Sequence, residues 1–430
     1  MKKDKFGNEY ASGLPYARGE LITSTQDDIL KLRTAWSIIQ ARIAEHGHEA
    51  VFNLSGLERN FSCSEEDWAL LDDELAPALY IDQLTELGLA HLGGNRGKHD
   101  IVLLNRQTAG LLLATLLMVK PGETVIGVSP SYSHPAVTRA AAHAGAGFID
   151  TIGVDQFETA LASANNVSLV ALTRLAVSYE ILQADEIKHI IASARKAKAR
   201  ILVDDAGGAR VGPAVFEQPK SLELDVDVAT TGLDKYGTTG PRLGLLGGKR
   251  EIVDTIRVRA LEMGLEARPM LYPAVVRSLE QYDPARVREL VATTKGVVRE
   301  LKAVLGSKRV VETPVIGQLR GEAILEIAMQ RADLIEAPIV PYEATAALAM
   351  LLLRDYGIMT VHFAGLPPGT SALLIKFLPP ETLARFGGDA KLVQAIDSAL
   401  SSLAHIIHKP VALRELLFGE HAFAAIAVGK

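Results

Sequence analysis

The chain has 430 residues, of which 48% are hydrophobic and 22% charged, so it is long enough for two hydrophobic cores and has the composition of a folded globular protein. Its formal net charge is −6, from 45 basic and 51 acidic residues, which argues against a nucleic-acid partner. The single cysteine, Cys63, excludes an intrachain disulfide and a cysteine-based zinc site, and it suits a reducing compartment.

The first elements in chain order are a helix and a short strand. No apolar signal core follows the basic residues 1–5, so we expect cytoplasmic residence and no membrane partner. Apolar residues at helical spacing predict an amphipathic helix near residues 27–45, and a short strand and turn follow at residues 51–56. We expect residues 1–74 to contribute to a small domain or to a dimer interface.

Between about residues 107 and 248, predicted helices alternate with short apolar strands. The strands are predicted at residues 124–128, 147–150, 168–172, 199–203, 226–230 and 243–247. Short apolar strands separated by helices are typical of a mostly parallel sheet that is covered on both faces. The predicted fold class is therefore α/β, with residues 75–275 as the large domain.

The remainder of the chain predicts a smaller domain of mixed helices and strands. A long helix is expected near residues 284–305, and β-rich sections are expected at residues 310–328 and 358–377. The apolar stretch 346–353 is too short to span a bilayer and predicts a buried helix. We assign residues 276–430 to this α+β carboxy-terminal domain.

Reactive side chains stand beyond several of these strands, where ligands collect in an open α/β sheet. Arg106, Gln107 and Thr108 open a helix whose free backbone N–H groups suit a phosphate, although a plain capped helix has the same pattern. Tyr132 and His134 follow the next strand. Each of them is also compatible with a loop residue that has no special role.

Two acids and a lysine follow neighbouring strands further along. Asp204 and Asp205 end an apolar strand and precede small residues, while Lys235 follows the next strand and precedes a glycine-rich loop. Taken alone, the acids could be a helix cap and the lysine a solvated charge. Because one short strand separates the acids from the lysine, we expect the three groups at neighbouring strand ends. This proximity strengthens the functional interpretation of the acids and that of the lysine.

This combination of strand order, acid, lysine and trailing glycines resembles the aspartate-aminotransferase-like superfamily of fold type I, whose members use pyridoxal 5′-phosphate (PLP). The resemblance implies that Lys235 holds the cofactor as a Schiff base and that Asp204, rather than Asp205 beside it, pairs with the pyridine nitrogen. It also implies phosphate binding by residues 106–108. His134, or Tyr132 in its place, would stack on the cofactor ring, and no metal is expected.

Within this superfamily, the sequence is most similar to the selenocysteine synthase (L-seryl-tRNA selenium transferase) group and its relative D-glucosaminate-6-phosphate ammonia-lyase. The similarity rests on four segments, namely Asn53 to Gly56, residues 105–110, Ser178 to Leu182 and residues 257–288. Asn53 and Ser178 are assigned to substrate binding on this basis.

The sequence also departs from that group in two respects. The segment before Asn53 is short for a tRNA-binding domain and the charge is acidic, so transfer of selenium on tRNA is not expected. Lys376 stands on a late strand where many fold-type-I enzymes carry an arginine for the substrate carboxylate. A lysine is a point charge without the guanidinium fork, so Lys376 is either a substrate-binding group of another kind or a lysine at the surface.

Together these features predict a PLP-dependent enzyme that acts on an amino acid or amino sugar acid through an external aldimine and a Cα carbanion. Lys235 would be the catalytic base that moves the Cα proton. A lyase, by β-elimination or β-replacement, is the preferred reaction class, and an aminotransferase is the alternative. A PLP-fold binding or regulatory protein is the non-enzymatic alternative, against which the presence of both Lys235 and Asp204 argues. The resemblance further implies a homodimer or a higher homo-oligomer.

Overall fold

The structure of the chain, a computed structural model, describes residues 2–61, 64–363 and 366–419; Cys63 lies outside these ranges. Their strands, in chain order, are β1 (Phe52–Asn53), β2 (His99–Leu104), β3 (Thr124–Ser129), β4 (Gly147–Ile152), β5 (Val167–Thr173), β6 (Arg200–Asp204), β7 (Val228–Gly232), β8 (Gly244–Lys249), β9 (Val310–Glu312), β10 (Gly317–Arg320), β11 (Ile358–Met359) and β12 (Ala372–Ile375). Their helices are α1 (Thr25–His46), α2 (Glu65–Trp68), α3 (Leu75–Leu92), α4 (Gln107–Met118), α5 (Pro135–His143), α6 (Gly153–Ser163), α7 (Ala184–Lys196), α8 (Gly208–Phe216), α9 (Arg250–Met263), α10 (Tyr272–Glu280), α11 (Pro284–Leu305), α12 (Gly321–Arg331), α13 (Pro341–Tyr356), α14 (Pro380–Phe386), α15 (Gly388–Ile406) and α16 (Pro410–Phe418).

These elements form two compact units. The large unit is Glu58–Arg288, and the small unit combines the residues up to Leu57 with those from Glu289 onward. The sequence places the borders of the large domain at residues 75 and 275, so the observed large unit extends further in both directions. One crossing of the chain between the units falls inside the long helix α11, between Arg288 and Glu289.

The large unit is built on a seven-stranded sheet of order β2-β8-β7-β6-β5-β3-β4. The five strands from β7 to β4 are parallel, and β8 is antiparallel to both of its neighbours. The predicted α/β class with a mostly parallel sheet is therefore confirmed. Because the five parallel strands share one direction, the loops that follow them lie along the same edge of the sheet.

Both faces of this sheet are buried, and neighbouring residues of a strand serve opposite faces. In β6, the side chains of Ile201 and Val203 join one hydrophobic cluster with α3, α6, α7 and α10, whereas Leu202 joins another with α4, α5 and α9. This alternation is the period of two that a strand imposes on its side chains. It continues to the end of the strand, so Asp204 belongs to the side of Leu202 and Asp205 to the opposite side.

The small unit contains a three-stranded antiparallel sheet of order β12-β10-β9 and a parallel pair formed by β1 and β11. Its core is centred on α13, in which every residue from Pro341 to Leu353 is buried. This range includes residues 346–353, for which the apolar stretch predicts a buried helix. In the residues that the structure describes, no helix has the length and apolar character needed to cross a membrane.

The structure departs from the predicted secondary structure in two places. The edge strand β2 was not predicted, because its first residues, His99 and Asp100, are polar and interrupt the apolar pattern. The β-rich section expected at residues 310–328 ends early, since α12 begins at Gly321. Ile324, Leu325 and Ala328 are buried at helical spacing in the core of the small unit, so tertiary packing overrides the local preference of isoleucine for strands.

Candidate active site

Lys235 lies in the turn that follows β7, at the edge of the sheet where the parallel strands end. Its side chain is 19% exposed, and its ammonium group donates a hydrogen bond to the buried carboxylate of Asp234 at 2.8 Å. A Cβ atom on Gly232 would lie 2.6 Å from Nζ of Lys235, so the amine lies directly against the backbone at the end of β7. The amine is thus both held in place and accessible.

Asp204 ends the neighbouring strand and faces the start of α4. Its carboxylate accepts a hydrogen bond at 2.7 Å from the side-chain amide of Gln107, the first residue of that helix. Burial, together with the adjacent charge of Asp205, raises the pKa of Asp204 to about 7, against the opposing effect of Lys235. The structure therefore holds a buried carboxyl that a cationic partner would stabilise as the anion.

Asp205 points to the other side of β6, as strand alternation predicts. Its carboxylate is fully buried and bonds to the guanidinium of Arg174 through two nitrogens, and the hydroxyl of Ser221 donates to it as well. A Cβ atom on Gly208 would lie 2.2 Å from Oδ1 of Asp205. Asp205 therefore serves a buried ion pair inside the large unit, and Asp204 is the acid that hydrogen-bonds to the start of α4.

We expect the high pKa of Asp204 to appear in the stability of the cofactor-free protein. The folded state binds the proton of the Asp204 carboxyl more tightly than the unfolded state, in which the pKa of this carboxyl is 3.8. The stabilisation that the bound proton gives to the folded state is therefore lost as pH rises from 3.8 to about 7. The melting temperature of the wild type relative to Asp204→Asn should fall over this range. A difference that stays constant between about pH 4 and pH 8 would contradict this assignment.

Two arginines, Arg59 and Arg242, lie beside the turn of Lys235. Arg59 donates to Asp234 at 2.9 Å, and Arg242 lies 4.0 Å from the same carboxylate. Burial, with the neighbouring charges of Arg59 and Arg106, lowers the pKa of Arg242 to about 10. Such crowding of guanidinium groups is favourable only when an anion is shared between them.

The start of α4 completes this positive region. Arg106 precedes the helix in extended conformation, its side chain does not cap the helix, and Thr108 is exposed in the first turn. A Cβ atom on Gly244 would lie 2.6 Å from the backbone nitrogen of Gln107, so the helix start packs closely on β8. An uncapped helix start beside several arginines is a suitable site for a phosphate.

His134 stands at the start of α5, where its Nδ1 accepts a hydrogen bond from the backbone N–H of Ala136 at 3.0 Å. Burial, together with the charges of Arg139, Lys235 and Arg106, lowers the pKa of His134 to about 4. The imidazole is therefore neutral at neutral pH, with its proton on Nε2. A neutral, partly buried ring within the field of Lys235 is compatible with stacking on a cofactor.

The loop of Ser178 is joined to the other loops at this edge. The hydroxyl of Ser178 lies 2.6 Å from that of Ser131, in the loop after β3 that also carries Tyr132 and His134. The hydroxyl of Tyr179 lies 2.6 Å from that of Tyr236, the residue after Lys235. The loops after β3, β5 and β7 are thus connected by side-chain hydrogen bonds.

Asn53 and Lys376 belong to the small unit, where they lie on adjoining segments. Asn53 orders the turn after β1 by donating to the carbonyl oxygen of Leu57 at 2.8 Å and accepting from the hydroxyl of Ser55 at 2.6 Å. Gly56, in the left-handed region, approaches the backbone of Lys376 so closely that a Cβ atom would lie 2.3 Å from its carbonyl oxygen. Lys376 is only 2% exposed, so it is not a surface lysine.

Three residues near Lys235 were missed by the sequence-based prediction, namely Arg59, Asp234 and Arg242. Asp234 and Arg242 stand within the segment around Lys235, so their proximity along the chain was a usable signal. Arg59 carries no motif, and only the fold brings it to Asp234. Among the residues that the structure describes, no group of three or more histidine, cysteine or acidic side chains could hold a metal ion.

The side chains at this edge of the sheet fit PLP. An aldehyde needs an amine, which Lys235 offers; a protonated pyridine nitrogen needs a buried carboxylate, which Asp204 offers; and a phosphate needs cations and N–H groups, which the start of α4 offers. Together with the strand order, this set of groups defines the class of the protein as a PLP-dependent enzyme of fold type I.

Comparison with known proteins identifies the family. The chain is 30% identical over 397 residues to the UPF0425 pyridoxal phosphate-dependent protein of Methanothermobacter thermautotrophicus. The alignment covers 91% of this chain and 98% of the relative. It is 28% identical over 347 residues to the protein of that name from Methanosphaera stadtmanae, covering 80% and 86% of the two chains. The chain belongs to the UPF0425 family of pyridoxal phosphate-dependent proteins. A scan against protein-family models gave no match.

Solved structures of low sequence identity share the fold. Histidinol-phosphate aminotransferase from Sinorhizobium meliloti matches with a TM-score of 0.57 and 16% identity, over 84% of this chain and 94% of that chain. Alanine-glyoxylate aminotransferase from Nostoc sp. matches with a TM-score of 0.55 and 14% identity, over 81% and 95%. The predicted fold type and the predicted cofactor are confirmed, whereas the similarity to the selenocysteine synthase group stays a prediction.

Proposed function

We propose that this chain is a PLP-dependent lyase that removes a β-substituent from an amino acid or amino sugar acid. The observation that carries the proposal is the placement of Lys235 and Asp204 at the ends of neighbouring parallel strands, with Gln107 beside both. Gln107 donates to Asp204. A Cβ atom built on Gly232 would lie 3.5 Å from the side-chain oxygen of Gln107 and 2.6 Å from Nζ of Lys235, so both groups lie against the same glycine. When bound, PLP supplies an electron sink for negative charge at the substrate Cα.

Lys235 would hold the cofactor and afterwards move the proton of the substrate Cα. Burial alone would raise the pKa of Asp234, but the charges of Lys235 and Arg59 hold it well below its usual range. Asp234 is therefore an anion that orients the amine of Lys235 while the amine is free. Asp204 would keep the pyridine nitrogen protonated, and Gln107 would fix the orientation of that carboxylate.

The remaining cofactor groups would be held by the positive region and by the loop after β3. Arg106 and Thr108 at the start of α4, together with Arg242, are the residues best suited to the phosphate, because uncapped N–H groups and guanidinium groups favour a doubly charged oxyanion. The neutral imidazole of His134 would stack on the ring. Tyr132 remains the alternative to His134 for this contact.

Elimination is preferred over transamination because of the residues assigned to the substrate. Ser178 and Asn53 stand in segments that resemble the selenocysteine synthase and ammonia-lyase group, and Lys376 takes the place of an arginine on the late strand. A buried lysine binds a single oxyanion as a point charge and does not reproduce the two-pronged grip of an arginine on an α-carboxylate. We therefore expect a substrate that carries a further acidic or hydroxyl group.

Cytoplasmic residence and assembly into a homodimer are part of the same proposal. Apolar side chains are exposed on two helices of the large unit that pack on each other, Leu116 and Leu117 of α4 and Val258 and Leu261 of α9. An exposed apolar surface of this kind is typical of an interface between subunits.

Release of ammonia tests the reaction class. If the protein is a lyase, a substrate should yield ammonia and a keto acid in equal amounts over many turnovers, without an amino acceptor, because elimination restores the cofactor to its starting form. The measurement is a screen of amino acids and amino sugar acids with ammonia detection. A reaction that stops after one turnover and resumes when a keto acid is added would instead identify an aminotransferase and would leave the assignments of Lys235 and Asp204 intact.

A further inference from the structure

The loop after β5 is a tight hairpin that is anchored at its base. Leu175 and Ile181 face each other as an isolated antiparallel bridge, and the backbone N–H of Leu182 donates to the carbonyl oxygen of Arg174 at 2.9 Å. The guanidinium of Arg174 forms the fully buried ion pair with Asp205. The base of the hairpin is therefore attached to the end of β6.

Tyr179, at the tip of this hairpin, has a strained backbone. Its N–H donates to the carbonyl oxygen of Ala176 at 2.9 Å, which closes the turn, and its φ is +64°. Glycine adopts this left-handed region at little cost, whereas the Cβ atom of a tyrosine crowds the following carbonyl oxygen. Residues strained in this way persist only where their surroundings hold them, and they concentrate at functional sites. The contacts of Tyr179 should therefore show what its conformation achieves.

The side chain of Tyr179 reaches the turn of Lys235. Tyr179 is 8% exposed, and its hydroxyl lies 2.6 Å from that of Tyr236, with 6.4 Å between the centroids of the two rings. A Cβ atom on Gly207 would lie 2.6 Å from Cε2 of Tyr236, so the ring of Tyr236 also packs directly on the backbone between β6 and α8. Two loops of the large unit therefore hold this ring in place.

Ser178 and Glu180, on either side of Tyr179, bond to each other instead. The hydroxyl of Ser178 donates to the carboxylate of Glu180 at 2.6 Å and lies 2.6 Å from the hydroxyl of Ser131. With Tyr179 in the left-handed region, the side chains before and after it meet, while the ring between them reaches Tyr236. One strained residue thus joins the loop that carries Ser178 to the turn after β7.

The hydrogen bond between the two tyrosine hydroxyls does not depend on pH near neutrality. Burial raises the pKa of Tyr179 and that of Tyr236, and the negative charge of Asp234 acts in the same direction on both. Both phenols are therefore protonated at neutral pH, and one donates to the other. The connection between the two loops is thus a constant feature of the folded protein.

Tyr236 directly follows Lys235, so the place of its ring limits where the lysine side chain can start. Thr238 closes the same turn from the other side, because its hydroxyl lies 2.7 Å from the carbonyl oxygen of Lys235 and 2.9 Å from that of Leu233. The backbone of Lys235 is therefore fixed on both sides. An amine attacks an aldehyde faster when its position is set beforehand.

We propose that Tyr179 is a positioning residue for Lys235. Its strained backbone is tolerated because its hydroxyl holds the ring of Tyr236, and that ring fixes the backbone from which the amine of Lys235 reaches the cofactor. The inference rests on one part of the proposed function, the assignment of Lys235 as the lysine that bonds the cofactor. If Tyr179 served packing alone, its ring without the hydroxyl would do equally well.

The rate at which added PLP becomes attached to the full-length, cofactor-free protein tests this role. Borohydride trapping at a series of PLP concentrations separates the maximal rate of attachment from the half-saturating concentration. Tyr179→Phe keeps the ring and removes only the hydroxyl, so it should lower the maximal rate by about 10-fold and leave the half-saturating concentration unchanged. Tyr236→Phe removes the same hydrogen bond and should have the same effect.

Combining the two substitutions separates a shared bond from two independent effects. The double variant Tyr179→Phe with Tyr236→Phe should also be about 10-fold slower than the wild type, whereas independent effects would multiply to about 100-fold. Tyr179→Asn relieves the strain, but its side chain is too short to reach Tyr236, so it should be slowed as well. Tyr272→Phe is the matched control, because this half-buried tyrosine of the same unit has Arg257 and Glu266 as its charged neighbours and should keep the wild-type rate.

Two sets of results would overturn the proposal. Equal maximal rates in the wild type and Tyr179→Phe, even with a lower melting temperature, would leave Tyr179 a packing role only, and a double variant slowed by about 100-fold would show that the two hydroxyls act separately. Label on Lys235 in the wild type would still support the proposed function in these cases. A wild type without label on Lys235 would overturn both the proposed function and this inference.

Discussion

Replacing Lys235 with alanine is expected to abolish covalent attachment of the cofactor and to lower substrate turnover by about 10²–10⁴-fold or more. The reason is that the amine of Lys235 lies over Gly232 and against Asp234, at the edge of the sheet where the parallel strands end. Borohydride reduction of the PLP-loaded wild type, followed by peptide mapping, should find the label on Lys235. The same treatment of Lys235→Ala should find no labelled peptide.

Lys196→Ala is the matched control for this experiment. Lys196 is an exposed lysine of the same unit at the end of α7, so its removal should change neither the labelling nor the turnover. Labelling of another lysine in the wild type would contradict the assignment, and so would a Lys235→Ala variant that retains most of the turnover.

The two neighbouring acids at the end of β6 are expected to respond in opposite ways. Asp205→Asn should lower the free energy of unfolding by about 3–5 kcal/mol, because it leaves the charge of Arg174 buried without its partner. That is a large part of the total stability of a typical domain. Asp204→Asn should have a much smaller effect on stability, since it removes no ion pair, but it should lower turnover by about 10²-fold or more because the pyridine nitrogen loses its anion.

Chemical unfolding and turnover per folded molecule measure the two effects separately. The sequence predicts that Asp205→Ala keeps substantial activity. Because this change also removes the ion pair with Arg174, the activity has to be measured on the folded fraction of the variant. If Asp205→Asn were as stable as the wild type while turnover disappeared, Asp205 and not Asp204 would be the partner of the pyridine nitrogen.

The sequence predicts the arrangement of side chains best where a local pattern fixes their direction. The alternation of side chains along β6 predicts that Asp204 and Asp205 point to opposite sides, and the structure shows Asp204 with Gln107 and Asp205 with Arg174. Gln107 was assigned to the phosphate from its position at a helix start, yet its side-chain amide reaches Asp204. The direction of a long side chain depends on its neighbours in space, which a helix-start pattern does not contain.

The sequence by itself determined the α/β class, and it predicted that Lys235 and Asp204 stand at the ends of neighbouring strands. These follow from periodicity and from the order of short apolar runs, which are local properties of the chain. Only the tertiary structure decided that Arg59 reaches Asp234, that Arg174 neutralises Asp205, and that α12 is a helix. Such contacts join residues far apart in the chain, and their energies arise from burial and from charge in a low-dielectric interior, so they exist only after the chain has folded.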